Sequence, residues 1–132
     1  MPSFGAESKR HLATLDPQLQ RLMNEAIKHI DFSITCGYRG KEDQDKAYRE
    51  GKSKVQWPNG KHNTNPSKAV DIAPYLSGID WKDIEAFTYL AGIIKGISLM
   101  MNIPIICGID WDNDGATNDH KFKDRPHVQL RD

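Results

Sequence analysis

Apolar positions recur at helical spacing in two stretches of the chain. After Asp16-Pro17, residues Leu19, Leu22, Met23, Ala26, Ile27 and Ile30 fall on one face of a helix. Asp16 is placed to cap it and Pro17 to open it. A longer run puts Trp81, Ile84, Phe87, Ala91, Ile94, Ile97 and Met101 on one face, with Asp80 as the expected cap. Between and after these lie short runs that read as strands: Phe32–Cys36, Ala69–Ala73, Ile103–Cys107 and His127–Leu130. Lys41–Glu50 reads as a polar helix closed by Gly51. The stretch from Lys52 to Lys68 is polar and rich in Asn, Pro, Lys and Gly, and Gly108–Lys123 is acidic. Loops of such length in a compact domain are usually functional. Helices and short strands without regular βαβ alternation predict an α+β fold, with a small mostly antiparallel sheet packed against two longer helices.

Composition narrows the function classes. A chain of 132 residues fits one domain, spanning 1–132, and can bury a core without metal or disulfide staples. Its 18 basic and 18 acidic residues cancel. That argues against a nucleic-acid binder that works by neutralising phosphates, and against a polybasic membrane anchor. The cancellation hides a division. Residues 1–68 hold 12 basic and 8 acidic groups, whereas residues 69–132 hold 6 and 10. No apolar stretch approaches the roughly 20 residues of a membrane span. The opening MPSFGAESKRHLATL lacks the apolar core of a secretory signal, which predicts synthesis in the cytoplasm. Cys36 and Cys107 each sit in an apolar run and are expected to be buried, reduced thiols.

Several residues have the chemistry of a hydrolytic site. Asp71 lies inside Ala69-Val70-Asp71-Ile72-Ala73, on the face opposite Val70 and Ile72. A carboxylate in the middle of a strand is costly to bury unless it is paired or bound to a metal. His62 in the long loop and His127 at the start of the last strand would complete a set of three ligands. That set leaves a fourth position open, as in catalytic zinc sites. Asp124, three residues before His127, is placed to act as a base that is not itself a ligand. Arg39 follows a strand through Gly37-Tyr38, where a fixed guanidinium could meet a developing oxyanion. Taken singly, each has a plainer reading. His62 could be solvated, Asp71 paired with a lysine, Asp124 paired with Arg125, and Arg39 a charge in a turn.

The acidic loop opens Asp110-Trp111-Asp112-Asn113-Asp114-Gly115, the start of a calcium loop. Position twelve is Lys121, where a bidentate Glu is required, so this is not an EF-hand. A calcium site of another kind and an acidic turn satisfied by its own backbone both remain open.

Taken in order, these pieces resemble a known family. The matching segments are FGAESKRHLATLDPQLQ from Phe4, DFSITCGYR from Asp31 to Arg39, Gln44, Gly51-Lys52-Ser53 and Lys61-His62. They continue through AVDIAPY from Ala69 to Tyr75, Ile79-Asp80-Trp81, Asp110-Trp111-Asp112 and DRPHVQL from Asp124 to Leu130. The chain resembles the zinc peptidases of the D-alanyl-D-alanine carboxypeptidase and L-alanyl-D-glutamate endopeptidase superfamily, most of all its small phage endolysins. The resemblance implies His62, Asp71 and His127 as zinc ligands, Asp124 as the catalytic base and Arg39 as the group that steadies the oxyanion. It further implies calcium at Asp110, Asp112, Asp114 and Asp119. The expected substrate is the peptide stem of peptidoglycan, cut at the L-alanyl–D-glutamate bond. The alternatives are a D-alanyl-D-alanine carboxypeptidase using the same site and a non-catalytic peptidoglycan-binding module. A monomer acting in the periplasm after the inner membrane is breached is expected, with no nucleic acid and no stable membrane association. Two departures stand out. The usual pattern H-x-x-G-x-A-x-D is here HNTNPSKAVD, two residues longer, with Ser67 where Gly is common. Cys107 stands at a strand end where Gly is also common.

Overall fold

The computed structural model describes residues 2–117 and 123–131. Its helices are α1 (Ala6–Leu12), α2 (Pro17–Ala26), α3 (Lys41–Arg49) and α4 (Ile84–Met101). Its strands are β1 (Phe32–Cys36), β2 (Ala69–Pro74), β3 (Ile105–Cys107) and β4 (His127–Leu130). The sheet order is β1-β2-β4-β3, and every pairing is antiparallel. The predicted α+β architecture holds: α2 and α4 pack on each other, and α4 packs on β2 and β3.

Residues on one face of the sheet build the core. Phe32, Ile34, Val70, Ile72, Ile105, Val128 and Leu130 point to the helices. They meet Leu19, Leu22, Met23 and Ala26 of α2, and Leu90, Ala91 and Ile94 of α4. Asp16 caps α2 as its sequence predicts, its Oδ1 accepting from Gln18 N at 2.9 Å. Cys107 belongs to this core, 6% exposed, and burial pushes its thiol up to about 11. It packs rather than reacts.

Three expectations about helices need correction. First, α4 starts at its cap Asp83, whose side chain accepts from Ala86 N at 3.1 Å. Asp80 instead closes a turn ahead of it by accepting from Lys82 N at 3.0 Å. Trp81 and Ile84 therefore fall outside the buried stripe and are 57% and 52% exposed. Second, α4 on its own is long and apolar enough to cross a membrane. Its inner face, however, is filled by the protein core. Third, α1 was not expected. Its seven residues AESKRHL carry no apolar period, and Ser8, the buried residue among them, holds β1 by accepting at Oγ from Ile34 N at 3.0 Å.

The other face of the sheet carries polar chemistry. Asp71 lies directly opposite His127 on β4, and opposite Cys36 on β1. Cys36 reaches that register through an irregularity between Ile34 and Cys36. A bulge shifts the side-chain alternation, so Phe32 and Ile34 face the core while Cys36 sits beside the site, only partly buried and not the buried thiol that its apolar run predicts.

Candidate metal centre

Each site residue is aimed by a different local device. Asp71 and His127 meet because partners in antiparallel register share a face. His62 comes from a 3-10 turn, Lys61–Asn63, in the long loop. Asn63 fixes that turn: its Oδ1 accepts from Gly60 N at 2.8 Å and its Nδ2 donates to Arg39 O at 3.0 Å. The segment before Asp71 is tied to the N-terminal part of the chain. Ser67 N donates to Thr14 O at 2.9 Å and Asp16 N to Ser67 O at 2.8 Å. Gly37 is required close by, since a Cβ there would stand 2.2 Å from Thr14 Oγ1 and 2.7 Å from His11 O.

The donors converge. His62 Nε2 is 3.2 Å from Asp71 Oδ1, and His127 Nδ1 is 3.4 Å from the same oxygen. Gly37 O lies 2.8 Å from His62 Nδ1. A carbonyl can only accept, so Nδ1 carries the hydrogen and Nε2 is the atom turned to Asp71. His127 is oriented in the same way, with Nε2 donating to Gln129 Oε1 at 2.8 Å and Nδ1 turned inward. Outer partners of this kind are how proteins orient metal-binding imidazoles. Tetrahedral ligands with bonds of about 2.0–2.1 Å lie about 3.4 Å apart. The spacing found here suits such an ion, and the His62, Asp71 and His127 donor atoms could hold a metal ion.

Charge is organised around the same point. Burial alone would raise the Asp71 carboxyl, but the charges and hydrogen bonds of His62 and His127 hold it well below the usual carboxylate range. Burial pulls the His62 imidazole down, yet the Asp71 charge and hydrogen bond outweigh it and carry the ring up to about 10. Asp124 Oδ2 stands 3.8 Å from His127 Nδ1. Burial, with the Asp71 charge, pushes the Asp124 carboxyl up to about 6, against the pull of His127, His62 and Arg39. Asp124 is held by Gly108, whose O accepts from Asp124 N at 3.0 Å. A Cβ at Gly108 would lie 2.1 Å from Asp124 O. Arg39 Nη2 donates to Asp71 Oδ2 at 3.3 Å and to Cys36 Sγ at 3.7 Å.

Of this group, His62, His127, Asp124 and Arg39 line a cleft of about 350 Å³. The long polar loop supplies one wall with Lys52, Lys54 and Lys61, and Trp111 supplies another. The Trp111 ring lies 5.3 Å from that of His127. All five residues expected at the zinc site are thus brought together. The structure adds Gln44, Asn63 and Gln129, for which the sequence offers only a weak signal. Gln44 was visible as one matching position and Gln129 only as part of the matching segment DRPHVQL, whereas Asn63 carried no signal. An amide that bonds to neighbours far along the chain leaves no periodic trace.

The acidic loop is gathered too. Asp110, Asp112 and Asp114 bring their oxygens within 4.8 Å of one another. The backbone turn is also present: Asp110 Oδ1 accepts from Asp114 N at 3.2 Å and Oδ2 from Gly115 N at 2.8 Å. Asp119 and Lys121 lie outside the described residues.

Comparisons with known proteins agree with this geometry. The family described as phage L-alanyl-D-glutamate peptidase matches over residues 2–131. The L-alanyl-D-glutamate peptidase of Escherichia phage T5 is 33% identical over 134 residues, covering 96% of each protein. The crystal structure of the Serratia marcescens L-Ala D-Glu endopeptidase ChiX has the same fold, with a TM-score of 0.77 at 22% identity. The match covers 98% of this chain and 91% of that one. The chain belongs to the phage L-alanyl-D-glutamate peptidase family.

Proposed function

We propose that this protein is a zinc-dependent endolysin that cuts the L-alanyl–D-glutamate bond in the peptide stems of peptidoglycan, acting as one catalytic domain over residues 1–132. The observation that carries the reading is the convergence of His62 Nε2, Asp71 Oδ1 and His127 Nδ1, with Asp124 and Arg39 beside them, where both histidines open onto a cleft. Two imidazoles and one carboxylate are a donor set of hydrolytic zinc. Bound there, zinc would supply Lewis acidity to the scissile carbonyl and make water nucleophilic near neutral pH.

The chain's own residues supply the rest. Asp124 accepts a proton from the attacking water and returns it to the leaving amine, and its raised carboxyl suits that exchange. Arg39 offsets negative charge on the carbonyl oxygen as the tetrahedral centre forms. Lys52, Lys54 and Lys61 along the cleft favour an anionic stem peptide. A wall-binding module would need no base such as Asp124. Synthesis in the host cytoplasm, action on the wall in the periplasm and a monomeric state belong to the same reading.

Two synthetic stem peptides test the bond, one offering only L-alanyl–D-glutamate and one only a terminal D-alanine pair. Cleavage of the first alone is expected, and cleavage of the second alone would establish the carboxypeptidase. At the acidic loop, the all-oxygen donor set of Asp110, Asp112 and Asp114 suits calcium. Titration should change Trp111 fluorescence, and no response at millimolar calcium would retire that site.

A further inference from the structure

We propose that Gln44 is a positioning residue for the reaction: its side-chain amide fixes the Arg39 guanidinium and ties it to the cleft wall at Ser53–Val55. The inference rests on the oxyanion role assigned to Arg39. Gln44 is the one buried residue of α3, at 1% exposure, on a helix otherwise made of charged and half-exposed side chains.

All four hydrogen-bonding valences of its amide are used within the protein. Oε1 accepts from Arg39 Nη1 at 3.2 Å and from Asn63 Nδ2 at 3.1 Å. Nε2 donates to Ser53 Oγ at 3.0 Å and to Val55 O at 2.6 Å. A carboxamide offers two acceptor sites and two hydrogens, so nothing remains for substrate. Gln44 therefore acts through its neighbours.

Those neighbours explain what it does. Arg39 is anchored at both ends of its guanidinium, by Asp71 at Nη2 and by Gln44 at Nη1. With one anchor the plane can pivot, whereas with two it is fixed. A charge held in place before the reaction stabilises a transition state better than one that must reorganise. The same amide holds Ser53 and Val55, which line the cleft, and touches Asn63, which shapes the turn carrying His62. Catalytic group and substrate wall are thus set by one buried side chain.

The test is a double-mutant cycle of Gln44→Leu and Arg39→Ala. kcat and KM are measured separately on a soluble stem peptide containing the L-alanyl–D-glutamate bond, and bound zinc and Tm on each protein. Positioning predicts that Gln44→Leu lowers kcat at least about tenfold at full zinc content. The double variant should fall within about twofold of Arg39→Ala alone, because the two residues act as one unit. Losses that multiply overturn the proposal. So does a Gln44→Leu protein with only its Tm lowered and kcat within about twofold of the parent. An Arg39→Ala protein with undiminished kcat removes the role of Arg39, and this proposal with it. That failure shows in the single variant and leaves the zinc site and the bond cleaved untouched.

Gln44→Glu keeps the test open if the leucine variant does not fold. It retains an oxygen for Arg39 and Asn63 but offers no hydrogens to Ser53 and Val55. KM should rise severalfold with kcat within about threefold of the parent. An unchanged KM, or a kcat loss as large as that of Arg39→Ala, contradicts the proposal.

Discussion

Asp124 illustrates how much a residue's environment decides. Its burial beside Asp71 carries the carboxyl up to about 6, where it can both take and return a proton. A cation on the three neighbouring donors draws that value down. The acid limb of kcat/KM should therefore fall at or below pH 6, with activity rising as Asp124 loses its proton. Asp124→Asn should lower kcat by about 10²–10⁴ and leave zinc content unchanged, as a base that is not a ligand requires. Steady-state kinetics with metal analysis checks both. A variant that keeps full activity would remove Asp124 from the mechanism. At this scale the ionisable members of the site were legible in the sequence. Asp71 stood out as a carboxylate inside an apolar strand, and Arg39, His62, Asp124 and His127 matched a family pattern. The supporting amides were less so. Gln44 and Gln129 fell in matching positions without a role, and Asn63 looks like an ordinary polar residue until the fold brings Arg39 to it.

Elements were legible where a period or a cap repeats locally. β1 and β4 begin and end where alternation predicts, and α2 starts at its Asp-Pro signal. α4 was displaced because Asp80 and Asp83 are both good caps, and only packing selects Asp83. α1 was invisible because it is held by Phe4 ahead of it and by Ser8, not by an apolar stripe. The bulge in β1 was invisible for another reason: it is set by pairing with β2 and not by the residues of β1 alone. The revised face of α4 makes a direct prediction. Ile94 is wholly buried, so Ile94→Ala should cost about 2–5 kcal/mol through lost contacts and a cavity. Ile84 is half exposed, and Ile84→Ala should change stability by no more than about 0.5 kcal/mol. Denaturant titration of the two variants separates them. Equal losses would restore Ile84 to the buried stripe.

For the whole molecule, the neutral net charge conceals a cluster of opposed charges, with donors that could hold a metal ion. His62 has a higher pKa folded than unfolded, so in the metal-free protein its stabilising contribution is complete below about pH 6.5. It is then lost as pH rises through about 10. Asp71 is depressed, so its contribution is complete above about pH 4 and fails only in stronger acid. Chelated protein should accordingly lose Tm between pH 6.5 and 10. Zinc should oppose that loss, because it takes the place of the proton on His62 and binds only the folded chain. A Tm of the metal-free protein that rises over this range would contradict the charge arrangement.

Metal-dependent cleavage of one bond is the central claim. Digestion of purified peptidoglycan, with products read by mass spectrometry, tests it most directly when run with a chelator, without one and with zinc restored. The account predicts fragments that end at L-alanine and begin at D-glutamate, lost with the chelator and recovered with zinc. Cleavage that persists at full rate in chelator, or products cut only at the terminal D-alanine, would contradict it.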